Sequence, residues 1–168
     1  MQSLKKLDIG CGRRGKKGFD GLDVLDIPGI KYPRADARHL PIENNTYDEI
    51  FSQWVLEHFK RTELVDLLTE WKRVLKPGGK IVVVTNNQRA INQGLINNEL
   101  AWTEWEYLTL GGDLDNLGGC HKVLLEESDV ELLFHSVEFS EINIRSTTKV
   151  RGEKGELKCP GIIISAIK

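Results

Sequence analysis

The run Ile81, Val82, Val83, Val84, Thr85 constrains this chain more than any other segment. It is β-branched throughout and lacks the apolar–polar alternation of a strand with one face in water. Such a strand is buried on both faces, which calls for a parallel sheet covered by other elements. Just before it, Leu64, Val65, Leu67, Leu68, Trp71, Val74 and Leu75 recur at helical spacing. That spacing predicts a helix over residues 62–75 with one buried face. Lys76, Pro77, Gly78 and Gly79 stop it, because proline cannot continue a helix and glycine accepts left-handed dihedrals. A helix that returns at once to a buried strand is the repeating unit of an open α/β sheet.

Other strands fit the same plan. Residues 4–9 read as a strand running into Gly10, Cys11 and Gly12, and residues 19–25 as a second. Residues 30–36 are a third, weakened by Pro33 and better suited to an edge. Residues 48–52 are a fourth, entered through a turn-rich stretch at 41–45. After Asn87 regular patterning fades until about residue 121, and a long loop of this kind is read as a substrate cap over 88–121. Ser128 and Glu131 have the spacing of a capping box and predict a helix start at 128. Residues 137–147 and 161–168 read as closing strands, joined by an exposed connection at 151–158. With no repeat or linker, residues 1–168 are read as a single domain.

Composition narrows the function classes. Apolar residues make up 40% and charged residues 29%, as in ordinary globular proteins, and 168 residues suffice for one core. The net charge of -2 gives no reason to expect a nucleic-acid partner. Apolar runs are too short for a membrane span, and no signal-like segment opens the sequence. Cys11, Cys120 and Cys159 lack metal-type spacing, so reduced thiols and a cytoplasmic setting are expected.

In open α/β sheets ligands bind at the carboxyl ends of the strands, near the switch in strand order. Asp8, Gly10, Cys11 and Gly12 occupy such an end, where glycines let a backbone approach a ligand. An ordinary glycine turn is the competing reading. Residues 10–15 also satisfy G-x-G-x-x-G, with Asp36 downstream, which raises an NAD-binding alternative. That fingerprint needs a helix starting at the glycines. Residues 16–29 contain Gly18, Gly21, Pro28 and Gly29, which is poor helix material. Asp23 and Asp36 end successive strands, where carboxylates could accept ribose hydroxyls and an adenine amino group. Each alone is more commonly a turn or cap residue.

Leu7 to Gly12 (LDIGCG), Gly21-Leu22-Asp23, Ala35-Asp36-Ala37, Leu40-Pro41, Thr46-Tyr47-Asp48, Val55 to His58 (VLEH) and Arg73 to Gly79 (RVLKPGG) occur in the order found in class I S-adenosylmethionine-dependent methyltransferases. The chain most resembles the type 11, UbiE-like group. The resemblance implies a Rossmann-like α/β fold with a seven-stranded, mostly parallel sheet whose last strand is antiparallel. It implies S-adenosylmethionine as cofactor and a small-molecule methyl acceptor. By matching position, Asp8, Gly10, Cys11 and Gly12 would cradle the methionine part, Asp23 the ribose, and Asp36 with Ala37 the adenine. Ser52, Gln53 and Trp54 would face the transferred methyl. His121 matches a histidine often seen in similar proteins and is the candidate general base.

One departure stands out. Only residues 11–18 are available for the helix that the family places between its first two strands, so that helix is expected to be missing or shortened. A second subunit covering the open flank, hence a homodimer, is one consequence. A catalytically inactive cofactor-binding module is another. Nucleic-acid amino-group methylation is not indicated, since no Asn-Pro-Pro-Tyr or Asp-Pro-Pro-Tyr follows the fourth strand. Asp113 to Gly118 lacks the ligands of a calcium loop, and no metal is expected. Arg13, Arg14, Lys16 and Lys17 are read as a solvated turn, with capture of an anionic group as the sharper alternative. His58 is assigned a capping role.

Overall fold

The computed structural model describes residues 4–112, 119–147, 150–152, 155–157 and 159–168. In chain order the elements are β1 (Lys6–Ile9), β2 (Asp20–Leu22), β3 (Tyr47–Gln53), α1 (Leu64–Val74), β4 (Leu75–Asn86), α2 (Gln88–Ile96), α3 (Trp102–Leu110), α4 (Glu127–Ser136), β5 (Ser140–Thr147), β6 (Val150–Gly152), β7 (Gly155–Leu157) and β8 (Gly161–Ile167). Six strands form the main sheet in the order β2-β1-β3-β4-β8-β5, and β6 pairs with β7 separately. The β2, β1, β3 and β4 pairings are parallel, whereas β8 runs antiparallel between β4 and β5. The α/β class and the antiparallel last strand are as expected, but among the described residues the main sheet has six strands and not the seven implied. The third strand read at 30–36 is not formed. Only a single parallel bridge, Leu22 to Tyr32, marks its place. Pro33 has no N–H to donate there, and Arg34 adopts a φ of 54°.

The chain moves from β1 to β2 on one side and then crosses to β3 on the other, so the order reverses between β1 and β3. Loops after β1 and β3 therefore flank the crevice where α/β sheets bind ligands.

Pleating assigns the two sheet faces. Leu7, Ile50, Ile81 and Ala166 lie in register across four strands, all buried, as do Ile9, Ser52, Val83 and Ile164. This face packs with Leu67, Leu68, Trp71 and Val74 of α1 and Val130 and Phe134 of α4 in one core. Val65 departs from the sequence reading. It sits at 43% exposure, off the buried stripe of α1. Phe51, Val82 and Ser165 share the opposite face and are only half-buried. The shortened first crossover explains this. Gly10 to Phe19 contains no α-helix, only a 3₁₀ turn at Gly12–Arg14. Lys16 and Phe19 from this connection lie over the bare face instead, the Lys16 ammonium 3.8 Å from the Phe51 ring centre.

The described part of the 88–121 segment is more regular than the sequence patterning indicates. It contains α2 and α3, which pack through a second small cluster of Ile91, Leu100, Leu108 and Cys159, joined by Trp54 and Trp105. Asn87 caps α2 by accepting the Ala90 N–H at 3.1 Å. The helix expected at 128 begins at Glu127. Its first turn is closed by Asp129, which accepts the Glu126 N–H at 3.1 Å, rather than by Ser128 with Glu131. The connection read at 151–158 contains β6 and β7. The Asp113 to Gly118 run lies outside the described residues.

Candidate functional site

Gly10 leaves β1 with a φ of +71°, and a Cβ there would stand 2.2 Å from Val55 Cγ2. Only glycine lets the chain turn so close to the loop after β3. The N–H groups of Gly10 and Cys11 both donate to the Leu22 carbonyl, at 2.8 and 3.1 Å, which ties the loop to the end of β2. Gly12 also has a positive φ, +55°, and aims its N–H at Asp23.

Asp23 is buried at 7% exposure. Its Oδ2 accepts the Gly12 N–H at 2.8 Å and its Oδ1 accepts the Leu25 N–H at 2.9 Å. A carboxylate has about two acceptor positions per oxygen, so each oxygen retains one for a further donor. Asp8 is also buried and accepts the Lys16 N–H at 2.7 Å. Burial pushes the Asp8 carboxyl up, against the opposing hydrogen bond and charge of Lys16. The Cys11 thiol, packed below the loop, is raised to about 11 by burial and by the charges of Asp8 and Asp23.

Asp36 is engaged differently. Its two oxygens accept from Arg38 Nε at 3.1 Å each, from Arg38 Nη2 at 2.7 Å and from the Arg38 N–H at 2.9 Å. These bonds hold its carboxyl below the usual range and leave it no ready acceptor position. Ala37 contributes its carbonyl to Trp71 Nε1 at 3.0 Å. Ser52 is fully buried on the core face, its hydroxyl donating to the Ile9 carbonyl at 3.0 Å, so it ties β3 to β1. Gln53 lies on the other face, and Trp54 turns at a φ of 58° toward the cap cluster. Arg13 and Arg14 are exposed.

A second group was not anticipated. Glu57 and His58 follow β3 in a 3₁₀ turn, Leu56–His58, and His121 reaches them from the end of the 88–121 segment. The His58 and His121 rings meet edge to face, 5.1 Å between centres. His58 Nδ1 lies 3.1 Å from the Cys120 carbonyl, so His58 holds the cap chain rather than capping a helix. Glu57 is 1% exposed, and Thr85 donates to its Oε2 at 3.0 Å. Burial pushes the Glu57 carboxyl up to about 7. Burial lowers both histidines, and for His121 the neighbouring His58 adds to the effect. The sequence signal was the adjacency of Glu57 and His58. Nothing in one dimension pairs them with His121.

The NAD fingerprint has no structural counterpart. Residues 10–15 lead into a three-residue 3₁₀ turn, not an α-helix that could receive a pyrophosphate. A large cavity of about 830 Å³ lies elsewhere, lined by residues from Asn87, Gln93, Leu100, Glu127 and Pro160 among others.

Residues 13–83 match a family described as a methyltransferase domain. Over 68 residues the chain is 38% identical to the ubiquinone/menaquinone biosynthesis C-methyltransferase UbiE of Haemophilus ducreyi, covering 40% of this chain and 26% of that protein. The chain thus spans about a quarter of that relative's length. A SAM-dependent methyltransferase from Methanosarcina mazei has a similar structure, with a TM-score of 0.68 at 21% identity, covering 100% of this chain and 93% of that one. A phosphoethanolamine N-methyltransferase of Haemonchus contortus, solved with phosphomonomethylethanolamine and S-adenosylhomocysteine, gives a TM-score of 0.64 at 17% identity, covering 100% and 49%.

Proposed function

We propose that this chain, which carries the methyltransferase domain of the type 11 group of class I S-adenosylmethionine-dependent enzymes, binds that cofactor and transfers its methyl group to a small molecule. The observation that carries the reading is Asp23. It is a buried carboxylate just after β2, beside the loop that leaves β1, held by two backbone N–H groups, with one acceptor position left on each oxygen. That arrangement suits the paired hydroxyls of a ribose.

Bound S-adenosylmethionine supplies a methyl group already activated on a sulfonium, so the protein's work is positioning and exclusion of water. Gly10 and Gly12 permit close backbone approach, and Asp8, buried behind the loop, fixes the loop's path through Lys16. The Asp36 carboxylate fits an adenine amino group only if Arg38 gives way. Their ion pair is half-exposed and of the kind worth little. Ser52 supports the crevice from the core, its hydroxyl donating to the Ile9 carbonyl. His121, kept neutral by burial, can take a proton from a hydroxyl or amine acceptor. Trp102 and Trp105 stack with 5.0 Å between ring centres, and Trp102 is exposed, which leaves an aromatic face in the cap. By likeness to the UbiE relative, a ubiquinone or menaquinone precursor is the first acceptor to try.

Calorimetric titration with S-adenosylmethionine, S-adenosylhomocysteine and NAD tests the cofactor. The two adenosyl ligands should bind and NAD should not. Asp23→Ala should weaken binding by about tenfold or more, the scale of one lost charge-assisted hydrogen bond. Binding of NAD alone would overturn the reading. Tight adenosyl binding without turnover on any acceptor would leave a binding module.

A further inference from the structure

We propose that Glu57, His58 and His121 form a binding site for a divalent transition-metal cation, with zinc as the representative ion. One carboxylate oxygen of Glu57 and one ring nitrogen from each histidine all lie within 4.8 Å of one another. Glu57 is buried, and its Oε1 has no hydrogen-bond partner among the described residues, while Oε2 is held by Thr85. A buried carboxylate oxygen without a donor is costly, and a cation would satisfy it.

The orientation of His58 supports the same site. A carbonyl can only accept, so the 3.1 Å contact with the Cys120 carbonyl puts the proton on Nδ1 and leaves the lone pair on Nε2. A backbone carbonyl that fixes the tautomer of a histidine is the usual outer support of a metal ligand. His121 is held as well, its Nδ1 lying 3.3 Å from Asn86 Nδ2. Two imidazoles and one carboxylate suit zinc and its first-row neighbours. Metal bonds of about 2.1 Å at tetrahedral angles place ligands roughly 3.4 Å apart, so binding would draw the three side chains closer than the 4.8 Å that bounds their present spacing.

Three protein ligands leave a coordination position open for water or for an oxygen of the acceptor. A cation there makes His121 a ligand instead of a base, and lowers the pKa of the oxygen it binds. The site stands on side-chain geometry alone and does not depend on the methyltransferase reading.

The test uses the full chain stripped with a chelator and titrated with zinc chloride by calorimetry, and with cobalt(II) by visible absorption. Saturable uptake at one cation per chain is expected, with the absorption of cobalt in a low-coordinate nitrogen–oxygen site. Glu57→Gln and His121→Ala should each weaken uptake by about tenfold or more, whereas His135→Ala, at an exposed histidine in α4, should not. Should a variant fail to fold, ring-nitrogen NMR of the wild type decides. Zinc should shift His58 and His121 and leave His39 and His135 in place. No saturable binding by the wild type, binding unaltered in both folded variants, or shifts confined to His39 and His135 would each overturn the proposal.

Discussion

Gly10 and Gly18 both take a positive φ, +71° and +84°, yet they answer to different constraints. A Cβ at Gly18 would meet nothing within 4 Å, whereas at Gly10 it would strike Val55. Gly18→Ala should therefore cost only the left-handed penalty, about 1–2 kcal/mol. Gly10→Ala adds overpacking of about 1–3 kcal/mol to that. Urea denaturation of the two variants should show Gly10→Ala as clearly the less stable, and equal losses would refute the role of Val55. The thiols separate in the same way. Burial raises Cys11 to about 11 and Cys159 to about 12, so at pH 8 about one Cys11 in a thousand is thiolate. Cys120 is only half-buried. A disulfide reagent at pH 8 should label Cys120 first, and equal labelling of Cys11 would contradict its packing. At this scale the place of Asp23 at the end of a strand was legible in sequence because that strand is local. The commitment of Asp36 to Arg38 was not, since side-chain pairing two residues apart has no periodic signature.

Helix α1 shows how far a periodic pattern reaches. Leu64, Leu67, Leu68, Trp71 and Val74 are buried as their spacing requires. Val65, one position off the stripe, is exposed. Trp71→Ala should cost about 3–5 kcal/mol, and Val65→Ala no more than about 0.5 kcal/mol. Guanidinium unfolding checks both, and a large loss at Val65 would mean that the buried face is misassigned. Helices α2 and α3 escaped the sequence because their apolar signal is thin. In α2 only Gln88, Ile91 and Gly94 are buried, and in α3 only Leu108 and Thr109. Their ends rest on capping instead, Asn87 for α2 and Glu104, which accepts the Ala101 N–H at 2.8 Å, for α3.

At the scale of the molecule, two hydrophobic clusters of unequal size among the described residues divide the stability. The main core joins the sheet to α1 and α4, while the cap rests on Ile91, Leu100, Leu108 and Cys159 with two tryptophans. Regions with few buried apolar contacts open at lower free energy. Hydrogen exchange should therefore expose α2 and α3 amides well before those of β3, β4 and α1. Simultaneous exchange throughout would show that the cap is an integral part of the core.

The sequence by itself determined the α/β class, the buried central strand, the amphipathic α1, the antiparallel closing strand and the shortened first crossover. The first three follow from local periodicity and from glycine and proline; the antiparallel strand and the shortened crossover are what the resemblance to the methyltransferase family implies. Only the tertiary structure decided that the third strand shrinks to one bridge and that Lys16 lies over the face the missing helix leaves bare. It also turned Ser52 into the core and brought His121 to Glu57 and His58. Those outcomes depend on contacts between residues far apart in sequence, whose partners are chosen by the packing of the folded chain and not by any pattern around them.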